Sequence, residues 1–230
     1  MDKLKEFTNF LKTVDLKGYR EKYAKIKIVE MDLPKEIQAI ELLYKVYWVE
    51  KKFISFEEFY ERYLNEKKDA IEKFRIKTTM CKDCFYRGLK ARIYRTWAGL
   101  ITQIHAGYVA ESVFGKGTVE MSRELDSMGA DIRVNYKGHF LNYQVKKTSF
   151  SGVKSSRPLP RNKKLKGEPI DIYYEVPTCL TNPKTKNGEF RKPYLRFLED
   201  KRTEAFPNGF VVFTKEAFLP KKKEIDSKVG

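Results

Sequence analysis

Residues 131–146 read DIRVNYKGHFLNYQVK, and this stretch decides the fold. Apolar and polar residues alternate on both sides of Lys137-Gly138, which is typical of two strands joined by a tight turn. With a two-residue turn, Tyr136 pairs with His139 and the pairing continues outward from there. The sequence therefore predicts an antiparallel hairpin with a fixed register.

Three polar side chains are predicted to share one face of this hairpin. Asp131 lies opposite Gln144 in the same register, and Lys146 follows on the same face because side chains alternate along a strand. The face therefore combines a carboxylate, an amide and an ammonium group. The opposite face is apolar and is predicted to enter the core: Ile132, Val134, Tyr136, Leu141, Tyr143 and Val145.

A long amphipathic helix is predicted upstream of the hairpin, between Gly88 and Gly115. Its apolar residues recur every three or four positions, as the core-facing side of a helix requires. Glu111 lies on the same stripe and is predicted to point inward, where a carboxylate needs a partner. A divalent metal ion shared with Asp131 would supply that partner. The stripe consists of Leu89, Ile93, Trp97, Leu100, Ile104 and Tyr108.

The chain is predicted to divide into a helical N-terminal region, residues 1–80, and a core, residues 81–230. Within the core, two further β-rich runs are IDIYYEV (170–176) and GFVVFT (209–214). A helix is predicted between them, around Tyr194–Lys201. Strands and helices mixed in this way predict an α/β (α+β) fold in which helices flank a mixed β-sheet.

The charge balance points to a polyanionic partner. The 230 residues include 47 Lys and Arg against 31 Asp and Glu, a formal net charge of +16. A positive field of this size favours nucleic acid. No run approaches the roughly 18 consecutive apolar residues of a membrane span, and the first residues lack the pattern of a secretory signal. We therefore expect a cytoplasmic protein that binds nucleic acid and no membrane.

Two basic regions are predicted to contact DNA. Residues 84–110 contain no acid, and residues 146–167, which include the Pro-, Ser- and Lys-rich loop 151–167, also contain none. Both flank the polar hairpin in sequence, which favours phosphate binding over a merely solvated surface. In the loop, Arg157 and Arg161 are candidates for contacts with base edges. The full set of candidates is Arg87, Lys90, Arg92, Arg95, Lys147, Lys154, Arg157, Arg161, Lys163 and Lys164.

The chain has three cysteines, which are too few for a disulfide framework and cannot all pair because their number is odd. This cysteine usage suits a reducing compartment. Cys81 and Cys84 have the two-residue gap of a zinc site. Completing such a site requires Cys179, His105 or His139. Structural zinc and a pair of plain reduced cysteines are the two interpretations that the sequence leaves open.

The residues from Glu111 to Lys146 resemble the PD-(D/E)XK nuclease core that is found in type II restriction endonucleases. The resemblance implies a restriction-endonuclease-like core and a Mg²⁺ site. It assigns Glu111 as the helix acid, Asp131 as the strand acid, Gln144 as the variable position and Lys146 as the lysine. Two positions depart from the pattern: Ala130 replaces the proline, and Gln144 replaces the usual Asp or Glu. Because Gln144 carries no charge, Glu111 and Asp131 must supply the negative charge that binds the metal ion.

The function implied by this resemblance is a Mg²⁺-dependent, site-specific endodeoxyribonuclease that hydrolyses phosphodiester bonds in double-stranded DNA. It also implies a palindromic target read by a homodimer, since a two-fold target is most simply matched by a two-fold protein. The segment RTWAGLITQIHAGYVAE (95–111) resembles the MjaI type of restriction enzyme.

Two other functions remain open at this stage. One is a structure-specific repair nuclease or junction resolvase built on the same core. The other is a non-catalytic nucleic-acid-binding module, in which Asp131 and Lys146 form a structural salt bridge. Glu111 then lies at a helix end, where it reaches solvent or pairs with a lysine. Glu124 and Asp126, just before the first strand of the hairpin, are either reserve acids for the nuclease site or simply solvated loop carboxylates.

Overall fold

A mixed β-sheet carries the predicted polar residues. The computed structural model describes residues 2–26, 33–147, 165–177, 179–180 and 182–229. The strands pair in the order β1-β2-β3-β4, the first two pairs being antiparallel and the β3-β4 pair parallel. Helices flank this sheet, so the predicted fold class is confirmed. The strands are β1 (Val119–Glu120), β2 (Ile132–Tyr136), β3 (His139–Lys147) and β4 (Glu168–Tyr174).

The hairpin formed by β2 and β3 has the predicted register. Tyr136 pairs with His139 and Ile132 pairs with Tyr143. Lys137 and Gly138 both have positive φ, 48° and 80°, as a tight type I′ turn requires. Glycine tolerates this geometry without strain, which fixes the turn at this point of the sequence.

The apolar face of the hairpin is buried as predicted. Ile132, Val134 and Tyr143 are each 0% exposed. The ring of Tyr143 packs edge-on against Phe218 with centroids 5.1 Å apart. A slip of one residue would turn all of these apolar side chains out of the core and place the polar residues there, so burial of the apolar face holds the register.

Two short non-α turns lie on either side of the α-helix Ile40–Leu43, which is labelled α3. The 3₁₀ turn Lys35–Ile37 starts after Pro34, and the π-helical turn Tyr44–Val49 follows directly on α3. The α-helices are α1 (Lys3–Thr13), α2 (Leu16–Tyr23), α3 (Ile40–Leu43), α4 (Phe56–Glu66), α5 (Lys68–Lys77), α6 (Lys82–Phe114), α7 (Arg123–Ser127), α8 (Lys192–Glu199) and α9 (Leu219–Val229).

The chain forms two compact units, Met1–Lys12 with Thr102–Gly230, and Thr13–Ile101. The second unit is helical around an aromatic cluster in which the indole of Trp97 donates to the hydroxyl of Tyr47 at 2.8 Å. Ser55 caps α4 with a complete capping box, in which its hydroxyl accepts from the amide of Glu58. Local sequence signals of this kind explain why the N-terminal part is helical.

Helix α6 is the longest element, and it extends six residues further toward the N-terminus than the predicted start at Gly88. It ends as predicted, because Gly115 has a φ of 115° and terminates the helix. The ring of Tyr108 packs edge-on against Phe7 of α1, with centroids 5.5 Å apart. This contact attaches the first helix to the unit that contains the sheet.

The predicted strand in residues 209–214 belongs to a separate two-stranded sheet. There, β5 (Thr203–Ala205) pairs antiparallel with β6 (Val211–Phe213), and the 3₁₀ turn Lys215–Ala217 follows. Among the residues that the structure describes, no helix is long and apolar enough to cross a membrane.

His105 is buried in α6 as a neutral imidazole, and this should make stability depend on pH. Its Nε2 lies 3.0 Å from the hydroxyl of Thr8, and desolvation lowers the pKa of His105 to about 3. As the pH falls below about 6.5, His105 therefore binds a proton in the unfolded chain but stays neutral in the folded chain. We expect stability to fall between about pH 6.5 and about pH 3, by at most about 1.4 kcal/mol per pH unit from this residue.

The measurement is urea unfolding of wild type and His105→Gln at pH 7, 6 and 5. The difference in unfolding free energy between wild type and variant should shrink as the pH falls. A difference that does not change with pH would contradict a neutral buried His105.

Candidate active site

Asp131 is held at the entry to β2 by two backbone contacts. Its own amide donates to the carbonyl of Tyr143 at 2.9 Å, and its Oδ2 accepts from the amide of Val145 at 2.6 Å. The residue is only 6% exposed. The hairpin therefore fixes both the backbone and the carboxylate of Asp131.

Asp126 is the acid that the structure places beside Asp131. Helix α7 starts after the Ser122 cap, and Gly129, with a φ of 87°, reverses the chain so that the amide of Ala130 donates to the carbonyl of Leu125. This turn brings the Asp126 carboxyl within hydrogen-bonding reach of Asp131. From sequence, Asp126 is only a reserve acid or a solvated loop acid, and the five-residue spacing to Asp131 across a Gly turn is the signal that identifies it.

The pKa of Asp131 is raised to about 7. Burial is the main cause because it disfavours the charged form, and the neighbouring Asp126 carboxyl raises the pKa further. The Val145 amide and the charge of Lys146 act in the opposite direction. Two adjacent carboxyl groups in a buried site repel one another when both are ionised, so the site favours a proton or a cation.

Lys146 forms an ion pair with an acid that the sequence analysis missed. Its Nζ lies 2.7 Å from Oδ2 of Asp171, and both side chains are less than one-quarter exposed. The hydroxyl of Tyr173 donates to the same carboxylate oxygen at 3.2 Å. Parallel pairing places Asp171 next to Gln144 and Tyr173 next to Lys146. The acid is thus brought in by β4, whose partner strand the sequence does not reveal.

Gln144 lies between these groups with an unsatisfied oxygen. The residue is 7% exposed, and its Oε1 has no hydrogen-bond partner within the part of the chain that the structure describes. A buried carbonyl oxygen without a partner is costly unless a water, an ion or a ligand completes it. The amide at the position where the nuclease pattern usually has an acid is therefore suited to bind a metal ion or its water through a neutral oxygen.

Glu111 has a different environment from the one predicted. Its Oε1 accepts from the amide of Gly117 at 3.0 Å, and it lines a surface cavity with Tyr108, Lys116 and the N-terminal end of α1. Glu111 is half-buried, not enclosed in the core. The described residues contain no group of three or more His, Cys, Asp or Glu side chains that could hold a metal ion. Asp126, not Glu111, is the acid found beside Asp131.

The predicted DNA-binding side chains differ in exposure. Arg87 and Lys147 are exposed. Lys90 lies over the ring of Tyr60, 5.1 Å from its centroid, and Arg95 donates to the carbonyl of Ile26 at 3.0 Å. Arg92 is half-buried. Five of the predicted residues lie outside the described part of the chain: Lys154, Arg157, Arg161, Lys163 and Lys164.

The cysteines are free thiols, with Cys81 exposed, Cys84 half-buried and Cys179 buried. The predicted zinc ligand His105 instead contacts Thr8. Within the described residues, no further Cys, His, Asp or Glu joins Cys81 and Cys84 in a group that could hold a metal.

Comparison with known proteins identifies the class. A family model described as TaqI restriction endonuclease matches residues 4–225. The type II restriction enzyme TaqI of Thermus aquaticus is 31% identical over 225 residues, covering 91% of this chain and 83% of that protein. TthHB8I of Thermus thermophilus, another type II restriction enzyme, is 31% identical over 223 residues with the same coverage. No solved structure matches the chain significantly.

The chain is therefore a type II restriction endonuclease, an endodeoxyribonuclease that takes DNA as its substrate. Within that class it belongs to the TaqI restriction endonuclease family. The segment 95–111, which resembles the MjaI type, lies inside the region that the TaqI family model matches. The match favours site-specific cleavage over a repair nuclease or a non-catalytic module.

The ion pair between Lys146 and Asp171 should be measurable as an energetic coupling. Lys146→Met keeps the alkyl chain and Asp171→Asn keeps the shape, so each removes mainly charge. Because the pair is partly buried, we expect each single variant to lose about 1–2 kcal/mol and the double-mutant cycle to give a coupling of about 1 kcal/mol. Urea unfolding of the four proteins measures it, and simple additivity would show that the two groups do not interact.

Proposed function

We propose that this chain is a Mg²⁺-dependent restriction endonuclease that hydrolyses phosphodiester bonds in double-stranded DNA, with Asp126 and Asp131 as the ligands of the ion. The observation that supports this most strongly is the pair of neighbouring carboxyl groups, one of them buried at a strand end. Type II restriction endonucleases generally use divalent metal ions. Mg²⁺ in particular is bound through one or two carboxylates while it keeps waters and phosphate oxygens as its other ligands.

The donor set of this chain fits such an ion. Asp126 and Asp131 supply anionic oxygens, and the unsatisfied Oε1 of Gln144 supplies a neutral one from the same face of the hairpin. When bound, Mg²⁺ lowers the pKa of a water and draws charge from the attacked phosphate. Burial, followed by the neighbouring Asp126 carboxyl, raises the pKa of Asp131, and a cation would stabilise the charged form against both effects.

The protein groups then have separate roles. The amide of Val145 fixes the direction in which the Asp131 carboxylate faces. Lys146 is positioned by Asp171 and presents an ammonium group for the phosphate, where it offsets the negative charge that develops during hydrolysis. Val145 and Lys146 lie on β3, Asp171 lies on β4 and Asp131 directly precedes β2, so the paired strands position these groups for the reaction.

Double-stranded DNA is the proposed partner, and the charge distribution supports it. The net charge of +16 favours the phosphate backbone. We also propose a homodimer, because a palindromic site presents the same contacts twice.

The experiment that tests the proposal is cleavage of plasmid DNA in Mg²⁺ and in EDTA by variants that keep shape but change charge. Asp126→Asn, Asp131→Asn and Lys146→Met should each reduce the cleavage rate by about 100-fold or more, since each loses a charge that acts in the transition state. Asp131→Asn retains an oxygen for the Val145 amide, so it should fold. Wild type should be inactive in EDTA.

The matched control is Glu124→Gln, which neutralises an exposed acid two residues from Asp126 on the same short helix. It should cut at the wild-type rate. Calorimetric titration with MgCl₂ should show weaker binding in Asp126→Asn and Asp131→Asn and unchanged binding in Glu124→Gln. Equal cleavage with and without EDTA, or full activity of Asp131→Asn, would refute the proposed site.

Glu111→Gln decides between the two assignments of the second acid. If Asp126 is the ligand, this variant should cleave DNA at a rate close to wild type, because Glu111 mainly accepts from the Gly117 amide. A loss as large as that of Asp131→Asn, with Asp126→Asn active, would instead support the helix acid implied by the PD-(D/E)XK resemblance.

The exposed basic side chains should contribute through charge alone. Arg87→Ala and Lys147→Ala should each reduce the slope of log binding constant against log salt concentration by about one if the residue contacts a phosphate. Arg95→Ala should instead lower the melting temperature, since its guanidinium donates to the carbonyl of Ile26. Fluorescence anisotropy across a salt series measures the first effect and thermal unfolding the second. An unchanged salt slope in Arg87→Ala would exclude it from the interface.

A further inference from the structure

Cys81 and Cys84 lie at the N-terminal end of helix α6. The amide of Phe85 donates to the carbonyl of Cys81 at 2.9 Å, which makes Cys81 the residue that precedes the first turn of α6. The amide of Cys84 donates to Sγ of Cys81 at 3.2 Å. The sulfur thus occupies the position in which a serine or aspartate oxygen usually caps a helix.

This position favours a negative charge on the Cys81 sulfur. The amides of the first turn of α6 point toward it, and a helix N-terminus stabilises an anion. Hydrogen bonds from the side chain and the amide of Cys84 lower the pKa of Cys81, while the same contact raises the pKa of Cys84. The exposed sulfur is therefore the better nucleophile, and the half-buried sulfur keeps its proton longer.

We propose that Cys81 and Cys84 form a redox-active dithiol, in which Cys81 is the nucleophile and Cys84 is the resolving thiol. The substrate class is a low-molecular-weight disulfide. This activity is separate from DNA cleavage and does not rest on the metal site proposed above.

The reaction has two thiol–disulfide exchanges. The Cys81 thiolate attacks one sulfur of R–S–S–R, the S–S bond breaks, and RS⁻ leaves and takes up the proton that Cys81 had lost. Cys84 then loses its proton and attacks the Cys81 sulfur, which forms the Cys81–Cys84 disulfide and releases a second RSH. The protein dithiol is oxidised by two electrons, and one R–S–S–R is reduced to two RSH.

The spacing permits this product. Cys81 directly precedes α6 and Cys84 lies in its first turn. Residues three apart within a helix have Cβ atoms about 5–6 Å apart, and a disulfide needs about 3.5–4.5 Å, so forming the disulfide requires an adjustment at this helix end. That turn lies at the end of the helix, where the backbone is least constrained. Cys179 is buried and serves as an internal reference thiol in the same chain.

The test uses the full chain in mixtures of reduced and oxidised glutathione, followed by peptide mass spectrometry. Wild type should form the Cys81–Cys84 disulfide. Cys84→Ser should stop at a glutathione adduct on Cys81, and Cys81→Ser should form an adduct on Cys84 at least ten-fold more slowly. Cys81→Ser should fold, because serine is a good helix cap at this position.

A second measurement follows alkylation of Cys81 by iodoacetamide across pH 5–10. The rate should reach half its maximum clearly below the value of about 8.5 that is usual for a free cysteine. Faster adduct formation on Cys84 than on Cys81 would overturn the assignment of the nucleophile. A Cys81 profile equal to that of an unstructured peptide, with no intramolecular disulfide in wild type, would overturn the proposal as a whole.

Discussion

The hydrogen bond from the Val145 amide to the carboxylate of Asp131 is the contact on which the candidate site depends. It spans the open end of the hairpin and links the residue that enters β2 to the strand that carries Gln144 and Lys146. The buried apolar face determines the register of that hairpin, and the register determines which residues stand on the polar face. A packing constraint on one side of the sheet thus places the chemical groups on the other side.

The parts of the site that could be predicted are those encoded by local pattern. Alternation and a Lys-Gly turn were sufficient to place Asp131, Gln144 and Lys146 together, because both strands belong to one hairpin. Asp171 could not be predicted, since β4 is parallel to β3 and nothing in its own residues states its partner or its register. Much of the segment between β3 and β4 lies outside the described residues.

Glu111 shows a second limit of sequence reasoning. Helical periodicity correctly placed it on the stripe of α6, yet it could not show that its side chain is only half-buried near the end of the helix. There the backbone amide of Gly117 becomes its partner. Asp126 was undervalued for the opposite reason, because its approach to Asp131 depends on a turn at Gly129 and not on any periodic pattern. The predicted long helix, in contrast, followed from the three- and four-residue spacing of apolar residues within one segment.

The ion pair between Lys146 and Asp171 has a consequence for selectivity among anions. A free lysine in a basic protein attracts any passing anion, whereas this ammonium group already has a carboxylate at 2.7 Å. An incoming anion must therefore displace an acid held on a neighbouring strand before it gains the full charge of the lysine. Small anions that arrive alone lack other contacts to offset that cost. A long polyanion that also binds elsewhere on the protein gains further contacts, and these offset the cost of displacing Asp171. The ion pair therefore favours polyanions over small anions at Lys146.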